Sequence, residues 1–277
     1  MAGYAQRAIP YILILAFMIT VLIVAKNWNG EMIILKLKVI SSGSQYGNCY
    51  AIIAGSEILL LDCGCRYSDI LKGIGYKITN VVGCLLTHEH GDHSKSYKEI
   101  LKAGIPIYTN DETADSLEII TGERMIEKQE KRSFMAGNFV ITPFYVPHDG
   151  TPNYAYLVRL PDGGVFLYAT DFLYLPYKFQ KMRINHFLIE CNHMDESPDE
   201  NSMKYNHSIC GHSRLSEVKK IIDINKSSSL RNVILCHLSE TWGNPEIMRS
   251  EVQSIIPDVN VQIADPGLEV DLKLEPF

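Results

Sequence analysis

A chain of 277 residues, 46% hydrophobic and 21% charged, is long enough to bury a full core and has an ordinary globular composition. Its net charge of −6 excludes a generally basic protein that coats nucleic acid, while leaving room for an enzyme that grips a few phosphates. The seven Cys are odd in number and sit mostly in apolar stretches, which argues for reduced thiols in a cytosolic setting. Cys63-Gly64-Cys65 is too tight for a zinc knuckle and reads as packing.

Residues 9–25 form an apolar run of 17 flanked by Arg7 and Lys26. At 1.5 Å per residue the run just reaches across a bilayer core. It reads as a membrane anchor within residues 1–31, the alternative being a spurious extension before a start at Met32. Either way residues 32–277 form the main domain, expected on the cytoplasmic side.

From Ile33 the pattern turns to short β-rich segments. Ile33 to Ile40 reads as a strand, 41–48 as a polar loop, and Cys49 to Ala54 with Glu57 to Leu61 as a hairpin that delivers Asp62. The apolar run Val81 to Leu86 then ends abruptly in Thr87-His88-Glu89-His90-Gly91-Asp92-His93. Burying that many titratable groups costs several kcal/mol unless they are paired or metallated, so the stretch reads as a metal site. His88 and His90, two apart on an extended turn, can ligate one cation. Asp92 and His93, carried past them by Gly91, can face a second.

A helix is expected over Lys95 to Ala103, capped by Ser94, with Lys95, Lys98 and Lys102 as a solvated face. A strand near Tyr108, a helix from Asp111 to Ile120 and an exposed charged stretch from Glu123 to Arg132 follow. The strand Phe139 to Val146 leads to His148, the further imidazole that a two-cation scheme needs beside His88 and His90. The hairpin Tyr154 to Leu160 and Val165 to Ala169 ends in Asp171, a candidate bridge holding two cations roughly 3.5–4 Å apart. His193 follows the strand His186 to Glu190, but no vacant position calls for it, and its reading is structural. A polar loop with His207 and His212 opens a helix through Asn225. The strand Val233 to Cys236 presents His237, which completes the second cation site with Asp92 and His93. A helix from Pro245 to Ile256 and a strand from Val259 to Ala264 close the chain.

The spacing His-x-His-x-Asp-His over 88–93 resembles the signature of the metallo-β-lactamase superfamily of metallohydrolases. The order Asp62, His88 to His93, His148, Asp171, His237 is similar to that superfamily's successive motifs across nearly all of 32–277. Val146 to Asp149, Ala169 to Asp171, Gly211-His212 and Cys236 to Glu240 look like the WalJ/YycJ-like exonuclease subfamily. The resemblance implies an α+β fold, an αβ/βα four-layer sandwich with a dinuclear metal site at the sheet edges, and Asp62 bracing the metal-binding loop. It also implies a metal-dependent phosphodiesterase, a 5′–3′ exonuclease on DNA that takes single strands or 5′ ends.

Two divalent cations, Zn²⁺ or Mn²⁺ with Fe²⁺ also admitted, would activate a bridging hydroxide as nucleophile. Asp171 would bridge them and Asp92 would orient the nucleophile. His212 departs from the subfamily in its surroundings, Gly211-His212-Ser213-Arg214 standing where Gly-His-Leu-Ser is usual. It stands between a proton donor to phosphate and a satisfied loop histidine. The rival readings are a hydrolase of a carbon centre, such as a lactam, lactone or thioester, and a membrane-tethered binding module without catalysis.

Overall fold

Alternation decides the first strand. In Leu35-Lys36-Leu37-Lys38-Val39 the aliphatic side chains turn inward and the lysines outward, where both meet Glu269. The computed structural model describes residues 34–117, 124–195 and 211–275. The expected anchor at 9–25 and His207 lie outside these residues. Among the described residues no helix is long and apolar enough to cross a membrane.

The first half supplies β1 (Leu35–Ser41), β2 (Cys49–Ala54), β3 (Glu57–Leu61), β4 (Val81–Leu85), β5 (Ile107–Thr109) and β6 (Met125–Glu127). The second supplies β7 (Phe134–Ala136), β8 (Phe139–His148), β9 (Thr151–Arg159), β10 (Val165–Ala169), β11 (His186–Glu190), β12 (Asn232–Cys236) and β13 (Asn260–Ile263). A last short strand, β14 (Glu269–Asp271), returns to pair with β1. One sheet therefore runs β14-β1-β2-β3-β4-β5-β6 and the other β13-β12-β11-β10-β9-β8-β7.

The sheets face each other across a core containing Leu37, Ile52, Leu59, Phe139, Tyr156, Phe166 and Ile234. Helices cover the outer faces. The helices Tyr67–Gly73 and Tyr97–Lys102 pack Ile70 and Ile100 on the first sheet. Leu215–Asn225 and Pro245–Ile255 pack Val218, Ile222, Met248 and Val252 on the second. Buried on both faces, β10, β11 and β12 have no outward polar positions, which is why their sequences are nearly continuous in apolar residues.

Two local expectations are corrected. The helix placed at Lys95 to Ala103 is a turn at Gly91–Ser94 followed by a separate helix at Tyr97–Lys102. Ser94 caps neither, because its hydroxyl donates to the Glu89 carbonyl at 2.7 Å. The charged stretch at 123–132 contains β6, an edge strand pairing in parallel with β5 through only three residues.

At the pole where β11 begins, His186 is fully buried and accepts from Asn232 Nδ2 at 2.9 Å through Nδ1. Burial, with the Arg231 charge adding to it, pushes its pKa down to about 3. A lowered value means that the fold prefers the neutral ring, so the unfolded chain takes up the proton first. This contribution is complete above about pH 6.5 and is lost as the pH falls toward 3, the loss reaching about 3 kcal/mol by pH 4. Urea unfolding of wild type and His186→Gln at pH 7 and pH 4 is expected to show the variant losing about 3 kcal/mol less between the two. Equal losses would remove this role.

Candidate metal centre

Six strand ends meet at one edge of the sandwich. β3 and β4 pair in parallel, as do β10, β11 and β12, so their carboxyl ends emerge together. β8 is antiparallel to β9, which is antiparallel to β10, and this brings the end of β8 to the same edge. Within two residues beyond them come Asp62, the 87–93 segment, Asp171 and His237, while His148 and Glu190 are the last residues of β8 and β11. Asp62, Asp171 and His237 have φ of 56°, 51° and 52°. A non-glycine residue in this left-handed region carries strain of roughly 1–2 kcal/mol. Such strain collects at functional sites, and here it turns each side chain off its strand toward the common edge.

The side chains form adjoining clusters. His88, His90, His148 and Asp171 bring one donor atom each within 4.8 Å of one another, and so do Asp92, His93, Asp171 and His237. In the first, His148 Nε2 lies 3.2 Å from His90 Nδ1 and 3.7 Å from Asp171 Oδ2, and His88 Nε2 lies 3.9 Å from that oxygen. In the second, His93 Nε2 lies 3.2 Å from Asp171 Oδ1 and 3.5 Å from Asp92 Oδ2, while His237 Nε2 lies 3.3 Å from Asp92 Oδ2. Donors about 2.1 Å from a tetrahedral cation stand about 3.4 Å apart, so both sets fit one. Asp171 divides its two oxygens between them.

Hydrogen bonds on the outer nitrogens turn the inner ones toward the clusters. His148 Nδ1 is 2.7 Å from the Gly211 carbonyl, which can only accept, so the proton sits there. His93 Nδ1 donates to Asp62 Oδ2 at 2.7 Å, and His237 Nδ1 to Glu190 Oε1 at 2.9 Å. His88 Nδ1 meets the Thr87 hydroxyl at 3.0 Å, and its buried Nε2 has no hydrogen-bond partner among the described residues. Burial, with His93 nearby, holds the His88 ring well below the usual pKa, leaving a bare lone pair. Burial acts the same way on His93, but Asp171, Asp62 and Asp92 outweigh it and hold that ring well above. His237 is likewise lifted to about 10, burial being overcome chiefly by Asp171 and Asp92. The field that retains protons on these rings is one that a cation would satisfy.

The profile of the family described as anti-Pycsar protein Apyc1 matches residues 39–104, the part that carries the His-rich segment. Exodeoxyribonuclease WalJ of Streptococcus pneumoniae is 24% identical over 256 residues, covering 86% of this chain and 93% of that protein. Exodeoxyribonuclease YycJ of Bacillus anthracis is 26% identical over 244 residues, covering 81% and 90%. The crystal structure of the metallo-β-lactamase fold protein YhfI from Bacillus subtilis superposes with a TM-score of 0.70 at 22% identity, covering 86% of this chain and 99% of that one. The chain has the metallo-β-lactamase fold.

On this metallo-β-lactamase frame the structure brings together every residue singled out in the sequence as a ligand, and it makes the partner of Asp62 specific. Asp62 accepts from Thr87 N at 2.8 Å, Thr87 Oγ1 at 3.1 Å and Tyr168 at 2.5 Å, and the ring it holds is His93. His212 joins the site through Glu190, its Nδ1 donating to Oε1 at 2.6 Å. His193 does not, because its Nδ1 donates to the Met194 carbonyl. Glu190 went unseen in the sequence although it is fully buried, accepting from both His212 and His237 as well as from Phe172 N and Ser213. The signal was present: it is a carboxylate ending an apolar strand, as are Asp62 and Asp171.

Proposed function

We propose that the chain is a metal-dependent phosphodiesterase, an exonuclease that removes nucleotides from the 5′ end of single-stranded DNA. The observation that carries it is the pair of donor clusters sharing Asp171, with the Glu190–His212 pair beside them. Divalent cations held there supply the Lewis acidity and the lowered water pKa that phosphodiester hydrolysis needs. His88, His90, His148 and Asp171 would hold one, and Asp92, His93, His237 and Asp171 the other. The Asp92 side chain is 23% exposed against 3% for Asp171, so it is the cluster carboxylate that an attacking water reaches.

His212 supplies the proton for the leaving oxygen. Burial alone would keep its ring neutral, but Glu190 at 2.6 Å, with Asp171 behind it, raises its pKa above the ordinary value. His212→Asn is expected to lower kcat on an oligonucleotide by about a hundredfold. On a p-nitrophenyl phosphodiester, whose leaving group needs no proton, the loss falls to about threefold or less. Equal losses on both substrates would sink the proton-donor role.

Polymer DNA as substrate rests on the two relatives named as exodeoxyribonucleases. It is also suited by exposed apolar side chains on loops joined to the site. Tyr46 is 64% exposed, two residues from Ser44, whose hydroxyl lies 3.2 Å from His237 Nε2. Leu173 and Tyr174 are 38% and 49% exposed just after Asp171. Unpaired bases stack on rings such as Tyr46 and Tyr174 at about 1–3 kcal/mol each. In this reading the hydrolase domain spans residues 32–277. The test is purified protein with Mn²⁺ or Zn²⁺, offered a 5′-phosphorylated single-stranded oligonucleotide and a chromogenic β-lactam in parallel. Stepwise shortening from the 5′ end supports the proposal, and turnover of the lactam alone overturns it.

A further inference from the structure

The segment between β1 and β2, together with Tyr50, carries a continuous hydrogen-bond chain that ends on the second cluster. The backbone N–H of His237 donates to Ser42 Oγ at 3.1 Å. Ser42 Oγ lies 2.9 Å from the Tyr50 hydroxyl, which itself donates to Asn48 Oδ1 at 3.2 Å. With the phenol proton committed to Asn48, the serine must donate to the tyrosine. Asn48 Oδ1 accepts a second bond from Gly43 N at 2.9 Å, and two donors on one oxygen leave the amide a single orientation. Its Nδ2 therefore faces the second cluster, 3.4 Å from Asp92 Oδ2 and 3.1 Å from His93 Nε2.

The main chain reinforces this arrangement. Asn48 N donates to the Asp92 carbonyl at 2.7 Å, and Gly64 N donates to the Asn48 carbonyl at 2.9 Å. Gly64 must be glycine for these loops to approach so closely, since a Cβ there would stand 1.7 Å from the Asp92 oxygen. Asn48 and Tyr50 are fully buried, so the amide and the phenol cannot turn to water instead.

We propose that Ser42, Tyr50 and Asn48 act as positioning residues that span the second cluster, from the backbone of His237 to the backbone and carboxylate of Asp92, and so set the affinity for the second cation. This rests on the two-cation reading above. The first cluster is held by different groups: Thr87 on His88, Thr151 on His90 and Gly211 on His148. Breaking the chain therefore acts on one cation and spares the other.

Zn²⁺ titrated calorimetrically into the metal-free full-length chain tests this. Wild type binds two ions. Asn48→Ala and Tyr50→Phe raise the Kd of the second about 10- to 100-fold and leave the first within about twofold. Tyr50→Phe removes one oxygen and keeps the ring, which packs edge-on against Tyr168 at 5.7 Å, so it carries the test if Asn48→Ala does not fold. Wild-type affinity for both ions in both variants, or an equal loss at the two sites, overturns the brace. A wild-type chain that binds fewer than two ions overturns the two-cation reading itself, a separate outcome.

Discussion

Asp171→Asn is expected to lower kcat on a single-stranded oligonucleotide by about a thousandfold or more, the equivalent of roughly 4 kcal/mol in the barrier. Asp171 is the one residue in both donor clusters, with Oδ1 facing His93 and His237 and Oδ2 facing His88 and His148. Burial opposes its ionisation, yet His237 and His93 hold it well below the usual carboxylate range, so its charge is present throughout the working pH. Asparagine keeps the size and tolerates the left-handed backbone, so the change isolates the charge. Metal content should fall with activity, which elemental analysis of the two proteins would show. A variant that retains more than a tenth of wild-type turnover would rule out the bridging role.

The second large effect falls on stability. Asp62→Ala should cost about 3–5 kcal/mol, measured by urea unfolding of metal-free protein so that ligand binding does not contribute. The carboxylate is fully buried and receives Thr87 N, Thr87 Oγ1, His93 Nδ1 and Tyr168, all of which would lose an acceptor where water does not reach. Alanine at φ 56° adds strain that Asp62→Asn avoids, so the asparagine variant should lose less. A cost below about 1 kcal/mol for the alanine change would mean that the network is slack.

How much of this could be read beforehand follows from what one-dimensional patterns encode. The segment 87–93 was legible because titratable residues so dense after an apolar strand have few uses. Asp171 and His237 were legible because each ends a buried run. Glu190 obeys the same rule yet went unseen, since no position in the cation scheme asked for it. Asn48 was invisible for a different reason. A polar loop residue before a strand looks like turn chemistry, and only the fold shows that Gly64 and Asp92 close over it. The edge strands β6 and β14, three residues each, are too short for any periodicity to show.

The donor atoms come from both sheets, with the 87–93 segment hanging from one and His148, Asp171 and His237 from the other. Cations bound there would act as rivets across the seam between the two halves. Whatever draws them out would then loosen that seam along its length, and the loading state could be followed by amide exchange in Leu59 and Phe166, buried between the two sheets.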